Sequence, residues 1–210
     1  MTTGARRLLP ALLLAMAAGI PQPGCAPPPT PKPRGYFRIA LPTPSYAPYA
    51  SPTMPYSFER AEACRVEKDR ERDARDTWTN IVYPGLNCKI HLTFLSLPPG
   101  GQSQALEDSH QFAYKHSVMA DAIGEHYYES PERRVFATLY EIKGNAASPV
   151  QFAITDSATR FLRGSLYFYC HPNKDSLAPV VSHVRKDIDH LIETFKWTTT
   201  DAADKEERGR

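Results

Sequence analysis

Apolar residues along this chain follow two periods. Alternation at every second position marks Tyr36-Phe-Arg-Ile-Ala-Leu41 and Tyr56-Ser-Phe58 as short strands separated by a proline-rich turn region. Trp78–Tyr83, a turn at Pro84-Gly85, and Lys89–Leu95 read as a hairpin that Pro98-Pro99-Gly100-Gly101 ends. Arg133–Ile142, Val150–Ile154 and Phe161–Tyr169 are three more strand-like segments, joined by Lys143-Gly144-Asn145 and Asp156-Ser157, and they predict an antiparallel meander. Helical spacing governs two other stretches. Ser103–Ala120 holds no proline or glycine and predicts a helix with Leu106, His110, Ala113 and Ser117 along one face. Val180, Val181, Val184, Ile188, Leu191, Ile192 and Phe195 predict a last helix, capped at Asp175-Ser176 with Pro179 in its first turn. Glu59–Asp76 carries seven acidic and six basic residues and reads as a solvated loop or exposed helix. Strands, helix, strands, helix in that order give an α+β fold, an antiparallel sheet packed with helices.

The front of the chain is built differently. Of the 20 prolines, 13 fall at or before Pro55, so the folded part should lie behind them. Arg6 and Arg7 precede Leu8–Ile20, an apolar run of 13 residues. A membrane span needs ~20 residues, whereas a secretory leader fits this length. Two cleavage readings stand. Gly24-Cys25 just past the apolar run suits a lipoprotein signal, in which Cys25 is diacylated on sulfur and becomes the new N-terminus. Ala15-Met16-Ala17 suits ordinary cleavage of the A-x-A form. Export is common to both. Behind Cys25, five prolines in the nine residues Ala26–Arg34 favour an extended polyproline stalk of ~3.1 Å per residue. The expected organisation is a signal peptide over 1–24, a lipid-anchored stalk over 25–34, one α+β domain over 35–197, and a disordered polar tail over 198–210.

Charge adds an exclusion. Losing Arg6 and Arg7 with the leader brings the 25 basic side chains down to the same 23 as the acidic ones. A neutral mature chain gives no support for nucleic-acid binding. With Cys25 consumed by lipid, Cys64, Cys88 and Cys170 remain, and Cys64 with Cys88 is the candidate disulfide. No cofactor, zinc or nucleophile motif is present. His183, Asp187 and His190 share one side of the last helix at ligand-like spacing, but they read more simply as its wet face. His110 and His116 are six residues apart, on different helical faces, which speaks against joint acid–base work. Cys170-His171 would point to opposite faces of a strand. These residues nominate no catalytic site and no metal site.

Longer strings carry more. Pro31-Lys-Pro-Arg-Gly-Tyr-Phe-Arg-Ile39, Ala113-Tyr-Lys-His-Ser-Val-Met-Ala-Asp-Ala-Ile123, Lys143-Gly-Asn-Ala-Ala-Ser-Pro-Val-Gln-Phe152, Phe161-Leu-Arg-Gly-Ser-Leu-Tyr-Phe168, Pro172-Asn-Lys-Asp-Ser-Leu-Ala-Pro179 and His190-Leu-Ile-Glu-Thr-Phe-Lys-Trp197 together resemble the gliding-motility lipoprotein family GldD, in order from about Pro31 to Trp197. Members carry a lipoprotein cysteine just before the Pro-Lys-Pro-Arg-Gly segment, and Cys25 is the matching residue here. The resemblance implies a membrane-anchored protein of the cell envelope, required for gliding in Bacteroidota-type bacteria and tied to type IX secretion; no acidic run follows Cys25 to suggest surface export, so the domain is expected to face the periplasm. Its implied partners are membrane lipid, through the acyl anchor, and envelope proteins of that machinery. It implies no enzyme activity and no cofactor. The order of elements is also similar to the Mog1/PsbP-type sandwich, an analogy of fold alone. Two other readings remain beside the accessory factor. An enzyme would need a pocket between sheet and helix using His110 or His116, and a ligand- or lipid-binding module would need a deep apolar cavity.

Overall fold

The computed structural model describes residues 38–51, 53–70, 75–115 and 120–198. The leader, Cys25, the proline stalk, His116 and residues 199–210 lie outside that range. The fold is α+β, with ten strands and two long helices among the described residues, and the strands form two antiparallel sheets rather than one.

The smaller sheet contains a strand absent from the sequence reading. β1 (Tyr46–Ala50) lies in the proline-rich stretch, pairs along its whole length with β2 (Tyr56–Ala61), and sits at the sheet's edge. Pro48 is tolerated there because an edge strand bonds on one side only. Arg38–Ala40, inside the segment expected to be the first strand, takes no regular structure. The third member is β10 (Lys196–Trp197), which returns from the last helix to pair with β2.

The larger sheet has seven strands. β3 (Arg65–Lys68), β4 (Trp78–Tyr83), β5 (Cys88–Ser96), β6 (Ala120–Ser130), β7 (Val135–Gly144), β8 (Val150–Thr155) and β9 (Arg160–Phe168) lie in the order β3-β4-β5-β9-β8-β7-β6. The predicted β4–β5 hairpin and β7–β8–β9 meander are both present. Two strands depart from expectation. The charged run expected to be solvated supplies the end of β2 and all of β3, whose pattern of exposed and half-buried residues suits a sheet edge. β6 fills the other edge, where the sequence reading extended a helix to Ala120; most of its residues remain at least partly exposed.

α1 (Gln102–Lys115) and α2 (Lys174–Thr194) cover opposite faces of the large sheet. Asn173, not Asp175 or Ser176, caps α2: its side-chain oxygen accepts from the Ser176 N–H at 3.3 Å. Pro179 therefore falls in the second turn. The predicted stripe Val180, Val184, Ile188, Leu191 and Ile192 is buried against β2, β7 and β8. On α1 the buried positions are Ser109 and Ala113, whereas Leu106 is exposed, so the inward face is turned from the predicted one.

An aromatic joint holds the two sheets together. Tyr56 of β2 is fully buried, stacked with the Phe195 ring at 5.8 Å and tilted against Phe94 of β5 at 6.1 Å. Its hydroxyl meets the Thr79 hydroxyl on β4 at 3.1 Å. Behind this joint, Phe152 of β8 lies flat over Gly164 of β9, its register partner.

A Cβ on Gly164 would stand only 2.1 Å from Phe152 Cζ, far inside van der Waals contact. Gly164→Ala should lower unfolding free energy by about 1–3 kcal/mol through overpacking. At Gly85 a Cβ meets nothing within 4 Å, and Gly85→Ala should stay within about 0.5 kcal/mol of the parent. Urea denaturation followed by circular dichroism measures both; equal midpoints would refute the close packing at Gly164.

Candidate functional site

Two polar regions are built into the domain, one closed and one open. The closed one contains the trio His183, Asp187 and His190, which the sequence places on the wet face of α2. That assignment is corrected, because β1 and β2 cover this face. Asp187 is 5% exposed and accepts from two phenols, Tyr46 of β1 at 3.0 Å and Tyr83 of β4 at 3.2 Å. His183 Nε2 stands 3.9 Å from the same carboxylate. His190 stacks on the Tyr46 ring at 3.7 Å and meets Glu59 of β2 through Nε2 at 2.7 Å. Thr194 completes the seam by accepting from the Glu59 N–H and donating to the His190 carbonyl. Burial first, then the Asp187 charge, pushes Tyr46 up to about 12 and drives Tyr83 further in the same direction. The arrangement binds β1, β2, β4 and α2 together. Among the described residues, no group of three or more His, Cys, Asp or Glu is placed to hold a metal.

The candidate disulfide is not formed. Cys64 and Cys88 are both free and buried, and Cys170 is free and exposed. β3 and β4 pair Arg65 with Val82, which sets Cys64 beside Tyr83, and Tyr83 in turn pairs with Cys88. A whole strand therefore separates the two thiols. Two strand spacings put their Cα atoms ~10 Å apart, beyond the ~7 Å that a bridge spans. Cys64 Sγ instead donates to the Ala61 carbonyl at 3.0 Å, and burial pushes its thiol up to about 11 and that of Cys88 up to about 12.

The open region lies between α1 and the outer face of the large sheet. Register places Trp78, Thr93, Arg163 and Ala153 in one row across β4, β5, β9 and β8, with Asn80, His91, Ser165 and Gln151 in the next row. This face is polar where the α2 face is apolar. Over it α1 presents Ala105, Ser109 and Phe112, and a cleft of about 570 Å³ remains between helix and sheet. Arg163 is the cation on its floor. Its Nη2 donates to Gln151 Oε1 at 2.8 Å, and its guanidinium lies 4.3 Å from the Phe112 ring centroid. Burial lowers its pKa. Nearby, His91 Nδ1 lies 3.0 Å from both Asp69 Oδ2 and Asn80 Oδ1.

A second cleft, of about 540 Å³, runs between the first half of α2 and the ends of β6 and β7. Of the four lysines and arginines that line it, Lys174 and Arg185 are paired with Asp121 and Asp189. His110 lines neither cleft: it stacks on Tyr114 at 4.3 Å and approaches Glu125 at 3.8 Å on the β6 side of α1. His116 lies outside the described residues. Arg163, Trp78 and His91 were missed from sequence because each reads as an ordinary strand position. Only the register sets them side by side under a helix.

Asp187→Ala should destabilise the domain by about 1–3 kcal/mol, because two phenol hydroxyls lose their acceptor in the interior. Tyr46 ionises near 10.0 when free and about 12 when folded, so its contribution is complete below pH 10.0 and is lost as pH rises through about 12. Urea midpoints should hold steady up to pH 9.5–10 and fall above that range, less steeply in Tyr46→Phe. An unchanged alkaline limb in that variant would contradict the assignment.

The model of the gliding motility lipoprotein GldD family covers residues 27–197. No curated protein matches the chain. The matched span is most of the chain and includes every described strand and both helices. The chain belongs to the gliding motility lipoprotein GldD family.

Proposed function

We propose that this member of the GldD family is a non-catalytic accessory factor for gliding motility and the associated type IX protein secretion, held in the cell envelope by acylated Cys25. The observation that carries the reading is the family match over residues 27–197, which starts two positions beyond Cys25. Two or three acyl chains on that residue anchor stably, since each buried methylene contributes ~0.8 kcal/mol. The proline-rich residues 26–34 then serve as a stalk that holds the domain off the bilayer on the periplasmic side. Residues 1–24 are the leader, 35–197 the working domain and 198–210 a polar tail. Among the described residues no helix is long and apolar enough to cross a membrane.

The non-catalytic reading draws on the site chemistry. Asp187 accepts from two phenols, and His110 lines neither of the two clefts. The work of the domain is then contact with envelope proteins of the gliding and secretion machinery.

Intact mass and membrane fractionation of the wild type beside Cys25→Ala, in a gliding host lacking the native copy, test the anchor. The wild type should carry the acyl mass, fractionate with membrane and restore gliding and secretion. Cys25→Ala should lose the added mass, leave the membrane fraction and restore neither. A wild-type chain that begins near Ala18 without lipid would overturn the anchored reading.

A further inference from the structure

The cleft under α1 contains polar groups that the fold does not satisfy. Arg163 Nε and Trp78 Nε1 are both buried and have no hydrogen-bond partner among the described residues. Both residues line the cleft. Native interiors leave few such donors, and each calls for an acceptor. They stand in one row across the sheet with Thr93 between them, so their Cα atoms are ~10 Å apart. Side chains as long as tryptophan and arginine reach a common point above a threonine from that separation.

The surrounding charge narrows the acceptor. No carboxylate among the described residues forms an ion pair with Arg163, whose guanidinium donates instead to the neutral Gln151 amide. A half-buried guanidinium without an anion is costly, and a carboxylate matches its planar fork. A dianion fits less well, because Arg163 is the one arginine or lysine lining the cleft among the described residues and Asp108 of α1 lines it too, accepting from Gln104 at 2.7 Å. His91 is already engaged with Asp69 and Asn80. The remaining wall is mainly apolar: Leu95, Leu97, Phe112 and Phe161. Its volume, about 570 Å³, is that of a small-molecule site.

We propose that this cleft binds a small monocarboxylate carried on an apolar body, with Arg163 and the Trp78 indole N–H holding the carboxylate and Phe112 and Phe161 enclosing the body. The reading is independent of how the chain is anchored. It gives the polar outer face of the sheet a task that assembly alone does not require.

Phenylbutyrate is a suitable probe, with its uncharged amide as the control. The full chain is labelled with fluorotryptophan and purified from its host in a non-ionic detergent. Fluorine NMR then follows its two tryptophans, assigned through Trp78→Phe. Phenylbutyrate should shift the Trp78 signal saturably and leave Trp197 in place, and the amide should bind about ten-fold or more weakly. Arg163→Gln should weaken the acid by about ten-fold without changing binding of the amide. Because Arg163 is partly buried, a second variant guards against a folding defect. Asp108→Asn, at an exposed position of α1 that lines the cleft, should tighten the acid about two- to five-fold by removing a like charge, and leave the amide unchanged. No saturable shift, equal binding of acid and amide, or an Asp108→Asn chain no tighter than the parent would each overturn the proposal.

Discussion

One carboxylate fixes the architecture of this domain. Asp187 of α2 receives hydroxyls from Tyr46 in the small sheet and Tyr83 in the large one, so a helix and two sheets meet at two oxygen atoms. Burying an aspartate is costly unless its lone pairs are filled. Only a narrow set of relative positions of β1, β4 and α2 fills both oxygens. Apolar packing of the α2 stripe is strong but non-directional, and it would tolerate sliding of the helix along the sheet. The two phenols supply the direction, and His190 stacked on Tyr46 and bonded to Glu59 extends the same constraint along β1 and β2. The thiols of Cys64 and Cys88 lie on either side of Tyr83 and stay protonated in this interior.

The two faces of the large sheet then follow different rules. Beneath α2 it presents Ile81, Leu92, Phe152, Leu162 and their neighbours in a continuous apolar layer. Phe152 reaches its place only because Gly164 has no side chain. Beneath α1 it presents Asn80, His91, Arg163, Gln151 and Ser165. A helix whose buried residues are Ser109 and Ala113 cannot seal such a surface. The cleft is thus a consequence of two choices made in sequence, polar side chains on one strand face and small ones on the helix above.

Much of this was legible from period alone, and the exceptions share a cause. The α2 stripe was read correctly because seven apolar residues at helical spacing leave no competing pattern. The β4–β5 hairpin and the meander were read because their strands alternate and end at turn residues. β1 was lost because prolines hide an edge strand, β3 because charges suit an edge as well as a loop, and β6 because an edge strand need not be apolar. Losing β1 had a further effect: with nothing to cover it, the His183–Asp187–His190 side of α2 read as solvated. The seam at Asp187 depends on a strand 141 residues away, and no local pattern carries that information. The open cleft was illegible for the same reason, since Trp78 and Arg163 become neighbours only through the register of β4, β5 and β9.

The contrast between the two polar regions bears on which of them is available for recognition. At Asp187 the sum of donors and acceptors closes: both oxygens are occupied, and the surrounding rings exclude solvent. Under α1 it does not close, because an indole N–H and a guanidinium N–H are withdrawn from solvent yet meet no acceptor among the described residues. A fold under selection for stability alone would replace Arg163 and Gln151 with apolar residues of similar volume, a change that is often neutral or stabilising. Keeping a cation beneath a helix whose buried residues are small is therefore a departure from local consistency, and such departures concentrate where a protein meets a ligand. The same helix carries Phe112, 43% exposed, over that cation. A large aromatic ring left in solvent on one side and stacked on an arginine on the other has little to gain from the folded domain by itself. Its position makes sense as the outer wall of an occupied cleft.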